Sequence, residues 1–153
     1  FLKRRTKIKM VDTSTGLDAK TLKDLLDKQD EWSRAVIFDE KANIITSKNV
    51  KTTQTELSAY LTAYDSRDNT VGAGFTLGGD HFDVHRFHPP LIYGRRGDAD
   101  VGEGISLARG KSKGGQTIYL LITYVLPIVS ARAVPQQIDF FNTHIGELEK
   151  FPQ

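Results

Sequence analysis

Three side chains on one short stretch have the types needed to hold a metal ion. His81-x-Asp83-x-His85 places two imidazoles and a carboxylate at alternate positions, and neutral imidazoles with a carboxylate form a zinc-type ligand set. Alternate residues of a strand share a face, but their side chains stand nearly parallel and do not converge on one ion. The expectation is a set of surface or partner-contact residues and no metal site. Gly110-Lys111-Ser112-Lys113-Gly114-Gly115 supplies the glycines, lysines and hydroxyl of a phosphate-cradling loop. It lacks the spacing of a P-loop and opens no helix, so it reads as a basic hairpin turn. His88 precedes Pro89 and Pro90, which favour an extended or turning segment. No nucleophile elbow or paired-acid arrangement stands out. The chain has no cysteine, which excludes disulfides, thiolate metal sites and a cysteine nucleophile. These residues point to binding without catalysis and imply no cofactor.

The elements that must position these residues follow from periodicity. Leu17, Leu22, Leu25 and Leu26 recur at helical spacing and predict a first amphipathic helix ending near Asp30. The β-branched and aromatic runs 34–39 and 44–46, separated by the polar residues 40–43, predict a hairpin. Thr53 followed three residues later by Glu56 matches a capping box, and Leu57, Tyr60, Leu61 and Tyr64 extend a second helix. From Val71 onward glycine-punctuated strands are expected over 72–77, 81–87, 91–93, 105–109 and 117–126, the last almost wholly apolar, as in a central strand covered on both faces. Pro135 suits the first turn of a final helix, along which Ile138, Phe141, Ile145 and Leu148 form one stripe. The sum is an α+β domain with helices packed on one antiparallel sheet.

A length of 153 residues fits one folded domain, here assigned to residues 17–151. With 39% hydrophobic and 26% charged residues, the composition is that of a chain able to build its own core, not a disordered one. No apolar run approaches the roughly 20 residues of a membrane-spanning helix. Phe1, not Met, opens the chain, which reads as a trimmed or processed start. Residues 1–16 form a basic extension: Lys3, Arg4, Arg5, Lys7 and Lys9 carry five positive charges, and the remainder holds 16 basic against 19 acidic residues. The asymmetry suits an acidic partner for the leader. The slightly acidic body argues against a dedicated nucleic-acid-binding domain.

Gly74-Phe75-Thr76-Leu77-Gly78-Gly79, the alternating run from His81 to Arg86, and Pro90-Leu91-Ile92-Tyr93-Gly94-Arg95-Arg96-Gly97 together resemble the profilins. That family carries a G-L-T-L-G-G turn, an alternating strand, and a strand ending in a basic G-K-K-G turn. Val134-Pro135-Gln136-Gln137 and Ile145-Gly146-Glu147 resemble its T-P-G-Q and L-G-D segments. The first third matches in element order only, and the loops at 98–103 and 110–115 look longer than the family's. The departures suggest a source far from animals, fungi and plants, such as an archaeal lineage with its own actin.

The resemblance implies an antiparallel sheet with the first and last helices side by side on one face and a further helix on the other. It implies a cytoplasmic, cytoskeleton-associated monomer that binds monomeric actin. Carried over by position, the actin contacts would be His81, Asp83, Val84, Arg86, Arg95, Arg96, Gln136 and Gln137. Phosphoinositide headgroups would meet Arg95 and Arg96, joined by the leader residues Lys3, Arg4, Arg5, Lys7 and Lys9. The family's aromatic platform for proline-rich peptides is largely missing; Trp32 with Phe151 could rebuild part of it, and Leu148 stands where the family has tyrosine. A non-catalytic scaffold or small-GTPase-partner domain of similar layout is the alternative reading.

Overall fold

The computed structural model describes residues 11–12, 16–97 and 102–150. The leader cations Lys3, Arg4, Arg5, Lys7 and Lys9, together with Phe151, lie outside these residues. Strands β1 (Val11–Asp12) and β2 (Leu17–Asp18) form a small ribbon ahead of helix α1 (Ala19–Asp27). Asp18 caps α1 by accepting from the Lys20 N–H at 3.1 Å, so the helix is shorter than its leucine spacing suggests. Past its end, Lys48 Nζ donates to the carbonyls of Gln29 and Trp32 at 2.6 and 2.9 Å, fixing the chain as it enters the sheet.

Strands β3 (Arg34–Asp39) and β4 (Ile44–Lys48) form the expected hairpin. Thr53 caps α2 (Gln54–Ser58) through the Glu56 N–H, as its side chain predicts. The second helix is then broken: a 3-10 turn (Ala59–Thr62) is followed by a separate helix α3 (Arg67–Ala73), capped by Ser66 at the Asn69 N–H. Val71 and Gly72 are therefore helical, and strand β5 is only Phe75–Leu77. Gly74 joins them at φ 72°, where an added Cβ would also crowd the Phe82 carbonyl.

Strands β6 (Asp80–His88), β7 (Leu91–Arg96), β8 (Glu103–Ser112) and β9 (Thr117–Val125) complete an antiparallel meander. The sheet order is β4-β3-β9-β8-β7-β6-β5. Helix α4 (Ser130–Phe140) starts five residues before Pro135, which lies inside it instead of in its first turn. A π-helical turn (Phe141–Ile145) leads to β10 (Gly146–Leu148), which pairs with Gly110–Ser112 of β8. Leu148 is thus a strand residue, off the helical stripe expected for it.

Strand alternation divides the core into two layers. Ala35 and Ile37 of β3 face a cluster with Leu22, Leu26, Trp32, Ala133, Phe140, Phe141 and Ile145, while Val36 and Phe38 face one with Leu57, Tyr60, Phe75, Phe82, Ile105 and Tyr119. The first and last helices share one sheet face, and α2 and α3 cover the other. In the second layer Phe38 stacks on Tyr119 with ring centroids 4.9 Å apart. Burying a side chain of this size contributes about 1.5–3 kcal/mol, so these two layers carry most of the stability. Strand β9 is buried on both faces from Ile118 to Tyr124, as its apolar run requires.

Candidate functional site: the β6–β7 face and the start of α4

A bulge in β6 creates the most informative surface. The β6–β7 register runs Asp83↔Arg95 and Val84↔Gly94, then Arg86↔Tyr93, leaving His85 as an extra residue. Residues opposite one another on paired strands present side chains to the same face, so Asp83, Arg86, Tyr93 and Arg95 share one. A regular strand would have sent Arg86 to the buried side with Val84; the bulge turns it outward. Gly94 permits the close pairing, since an added Cβ would overlap the Asp83 carbonyl.

Next to this pair of strands a hollow of about 340 Å³ is lined by His85, Arg86, Tyr93, Arg95, Tyr124 and the α4 start at Val129 and Ser130. Among the described residues Arg86 donates only to the His85 carbonyl, at 3.3 Å, and Arg95 has no ion-pair partner. Tyr124 is 3% exposed and its ring lies against Gly104. Burial pushes its hydroxyl up to about 12, with Tyr93 adding to the rise and Arg95 opposing it. His81 and Asp83 stand exposed on the same face, their nearest ring-nitrogen and carboxylate atoms 3.9 Å apart.

Several residues nominated from the sequence do not reach this face. Val84 is 3% exposed and packs in the second core layer. Gln137 is fully buried, donating through Nε2 to the Ser106 and Leu120 carbonyls, both at 2.9 Å. Gln136 is engaged locally: it accepts from Trp32 Nε1 at 3.2 Å and donates to Glu31 at 2.8 Å. Trp32 is 1% exposed and packs on Phe140 with centroids 5.3 Å apart, so it is a core residue and not an open aromatic platform.

Arg95 and Arg96 are neighbours in sequence but project from opposite faces, the consequence of a two-residue strand repeat. Arg96 instead joins a network that anchors the β5–β6 hairpin. Arg34 donates to both Glu103 oxygens at 3.0 and 2.7 Å and meets Asp80 at 3.1 Å. Arg96 donates to Glu103 at 3.0 Å and meets Asp80 at 3.4 Å. Both guanidinium groups also lie over the Phe82 ring. Burial alone would raise the Glu103 carboxyl, but the Arg34 and Arg96 hydrogen bonds outweigh it and hold it below the usual range.

Glu56 completes the anchor. In a capping box it would reach back to the Thr53 N–H, but its carboxylate instead accepts from the Gly78 and Gly79 N–H groups at 2.7 and 3.1 Å. Burial raises its carboxyl, and the Thr52 hydroxyl with these two amides lowers it by more. The glycine turn that the sequence singles out is thus held from α2, and it carries into position the strand that bears His81, Asp83 and Arg86. Among the described residues no cluster of three metal-ligating side chains occurs, and no helix is long and apolar enough to cross a membrane.

Sequence reasoning missed Tyr93, Tyr124, Val129 and Ser130. Tyr93 was legible, because it lies two residues before Arg95 on the same strand and must share its face.

Solved profilin structures superpose on this fold. Acanthamoeba castellanii profilin IB matches with 21% sequence identity and a TM-score of 0.59, over 73% of this chain and 86% of that one. Schizosaccharomyces pombe profilin matches with 17% identity and a TM-score of 0.60, over 74% and 86%. At such identities the likeness speaks for the fold alone. Comparison with curated proteins finds no match. The profilin family profile matches residues 19–127, well over half of the chain and spanning α1 to β9. The chain belongs to the profilin family, whose members are non-enzymatic actin-binding regulators.

Proposed function

We propose that this profilin binds monomeric actin through the β6–β7 face and the start of α4, and so regulates filament nucleation and assembly. The observation that carries the reading is the pairing state of two arginines. Arg86 and Arg95 are brought onto one face by the bulge at His85 and have no carboxylate partner among the described residues, whereas Arg34, Arg96 and Arg132 are all ion-paired. Unpaired guanidinium groups on a face shaped by Tyr93 and Val129 fit an acidic protein partner, because arginine pairs bidentately with carboxylates. The protein would act as a cytoplasmic monomer associated with the cytoskeleton.

Phosphoinositide binding through Arg95 and Arg96 has less support, since these side chains project from opposite faces. Proline-rich peptide binding has no support from Trp32, which is sealed in the core.

The test is polymerisation of pyrene-labelled actin. The intact protein should suppress spontaneous nucleation, and Arg86→Glu should weaken the effect at least about tenfold, as expected when a charge at an interface centre is reversed. Unchanged actin curves at saturating folded protein would sink the reading.

A further inference from the structure

Gln137 is a polar side chain sealed in an apolar layer. It is 0% exposed and stands with Ala133 and Phe140 on the side of α4 that packs on the sheet. Its Nε2 donates to the carbonyls of Ser106 in β8 and Leu120 in β9, both at 2.9 Å. Both carbonyls belong to strands paired on each side: Ser106 lies opposite Tyr93 and Ile122, and Leu120 opposite Ile37 and Ala108. A carbonyl oxygen has two lone pairs, so the amide adds second bonds to groups that the sheet ladder already serves. Its own Oε1 has no hydrogen-bond partner among the described residues, nor has the Ser106 hydroxyl. A half-satisfied amide in such a layer carries a desolvation cost that an apolar side chain of the same length would not. Stability alone therefore gives no reason for a glutamine here.

Position gives one, because little else fixes α4 along the sheet. Its N-cap, Val129, supplies no side-chain bond, and Pro135 has no N–H to return to the Ala131 carbonyl. Arg132 and Gln136 bond to Glu31, and Gln136 also to Trp32, but these partners lie in the connection between α1 and β3. The Arg132 side chain is 63% exposed, and ion pairs so open to water hold weakly. The apolar contacts of Ala133 and Phe140 are non-directional and tolerate a slide. The Gln137 amide, in contrast, makes directional bonds straight from α4 to two central strands. Those strands back the candidate face: Ser106 is opposite Tyr93, two residues from Arg95, and Leu120 precedes Tyr124 by four residues.

We propose that Gln137 is a positioning residue for actin binding. It touches no actin; it sets where α4 lies against β8 and β9, and so holds Val129 and Ser130 beside Tyr93 and Arg95. The start of α4 is two helical turns from Gln137, about 10 Å at 1.5 Å per residue, so the amide acts on the face through the helix. A slide of α4 would leave the core buried and the two halves of the face out of step. Buried polar groups of this kind can specify an arrangement at some cost in stability. The role in binding rests on the function proposed above, whereas the placing of α4 does not.

The experiment compares the full chain with Gln137→Met, Gln137→Leu and Phe140→Leu by three readouts: urea unfolding, calorimetric titration with monomeric actin, and ¹H–¹⁵N correlation spectra without actin. Gln137→Met keeps the length of the side chain and removes the amide. It should unfold at the same or a higher urea concentration, bind actin about fivefold more weakly, the inverse of a competent fraction near one in five, and move the Ser130 and Ala131 amide resonances. Phe140→Leu, on the same side of α4 but with no polar tie, should lose stability, keep its actin affinity within about twofold and leave those two amides in place. Actin affinity equal to the parent in Gln137→Met, or weakened no more than in Phe140→Leu, would overturn the proposal. So would a large loss of stability in both Gln137 variants, which would mark the amide as a structural bond. If the parent itself leaves actin unbound, the function proposed above fails, and unmoved Ser130 and Ala131 amides in Gln137→Met would then overturn the placing of α4 as well.

Discussion

Replacing Glu103 with Gln keeps the shape of the side chain at the centre of the Arg34–Arg96 network and removes its charge. Glu103 is 4% exposed, with three arginine nitrogens bonded to its two oxygens between 2.7 and 3.0 Å. Breaking a buried ion pair by deleting one partner costs about 3–5 kcal/mol. Here Asp80 remains within 3.1 and 3.4 Å of the two guanidinium groups, and Arg96 is 41% exposed. The expected loss is therefore about 2–3 kcal/mol, below that range because Asp80 retains part of the pairing. A domain with roughly 5–15 kcal/mol of stability survives this and can be measured. Trp32, the sole tryptophan and 1% exposed, reports urea unfolding by fluorescence.

The pH dependence adds a second readout. The folded-state pKa of Glu103 lies below its unfolded value near 4.5. Its contribution is therefore complete above about pH 4.5 and is lost as pH falls through the folded value. The Gln variant has no such group, so the stability gap between it and the parent should narrow below about pH 4.5. A gap under about 1 kcal/mol at pH 7, the scale of an exposed ion pair, or one that stays constant down to pH 3.5, would refute the reasoning.

Glu56→Gln should speed amide hydrogen exchange at Gly78 and Gly79 and cost about 1–2 kcal/mol in urea unfolding, since two charge-assisted bonds to the turn are weakened; unchanged exchange there would dissociate Glu56 from the hairpin. Gly94→Ala should destabilise by more than about 2 kcal/mol, because the new Cβ would overlap the Asp83 carbonyl and must displace a paired strand; near-native stability would place the strands further apart than described. Trp32→Ala should cost about 3–5 kcal/mol, measured by circular dichroism because the fluorophore is gone; a loss below about 1 kcal/mol would mean the indole is not a packed core residue.

The two-layer arrangement was legible because leucines at helical spacing and a doubly apolar strand leave few ways to bury both. Helix α3 was not, since seven residues ending in Gly72-Ala73 and followed by Gly74 look like loop, and only Ser66, three residues before Asn69, marks its start. The Thr53 cap was read correctly. The partner of Glu56 could not be, because the amides it binds lie more than twenty residues along the chain and meet it only after the hairpin folds. The candidate site shows the same division. Alternation alone separates Arg95 from Arg96, and helical spacing places Gln137 with Ala133 and Phe140 on the core side of α4. The outward turn of Arg86 depends on the bulge at His85, which no residue type in β6 announces.

The position of β9 has a consequence for how the chain reaches this state. Arg34 pairs with Thr123 about ninety residues later, so the centre of the sheet is closed by one of the longest-range contacts in the molecule. As the protein emerges from a ribosome, β3 is made long before β9, so the β3 edge that β9 will cover stays open until the last strand of the sheet's centre is made. The β8–β9 hairpin, joined by a short turn, pairs neighbouring segments and needs no such distant partner. Topologies dominated by such distant pairings fold slowly, and the waiting β3 edge, apolar on both faces, is the place where nascent copies would meet one another first.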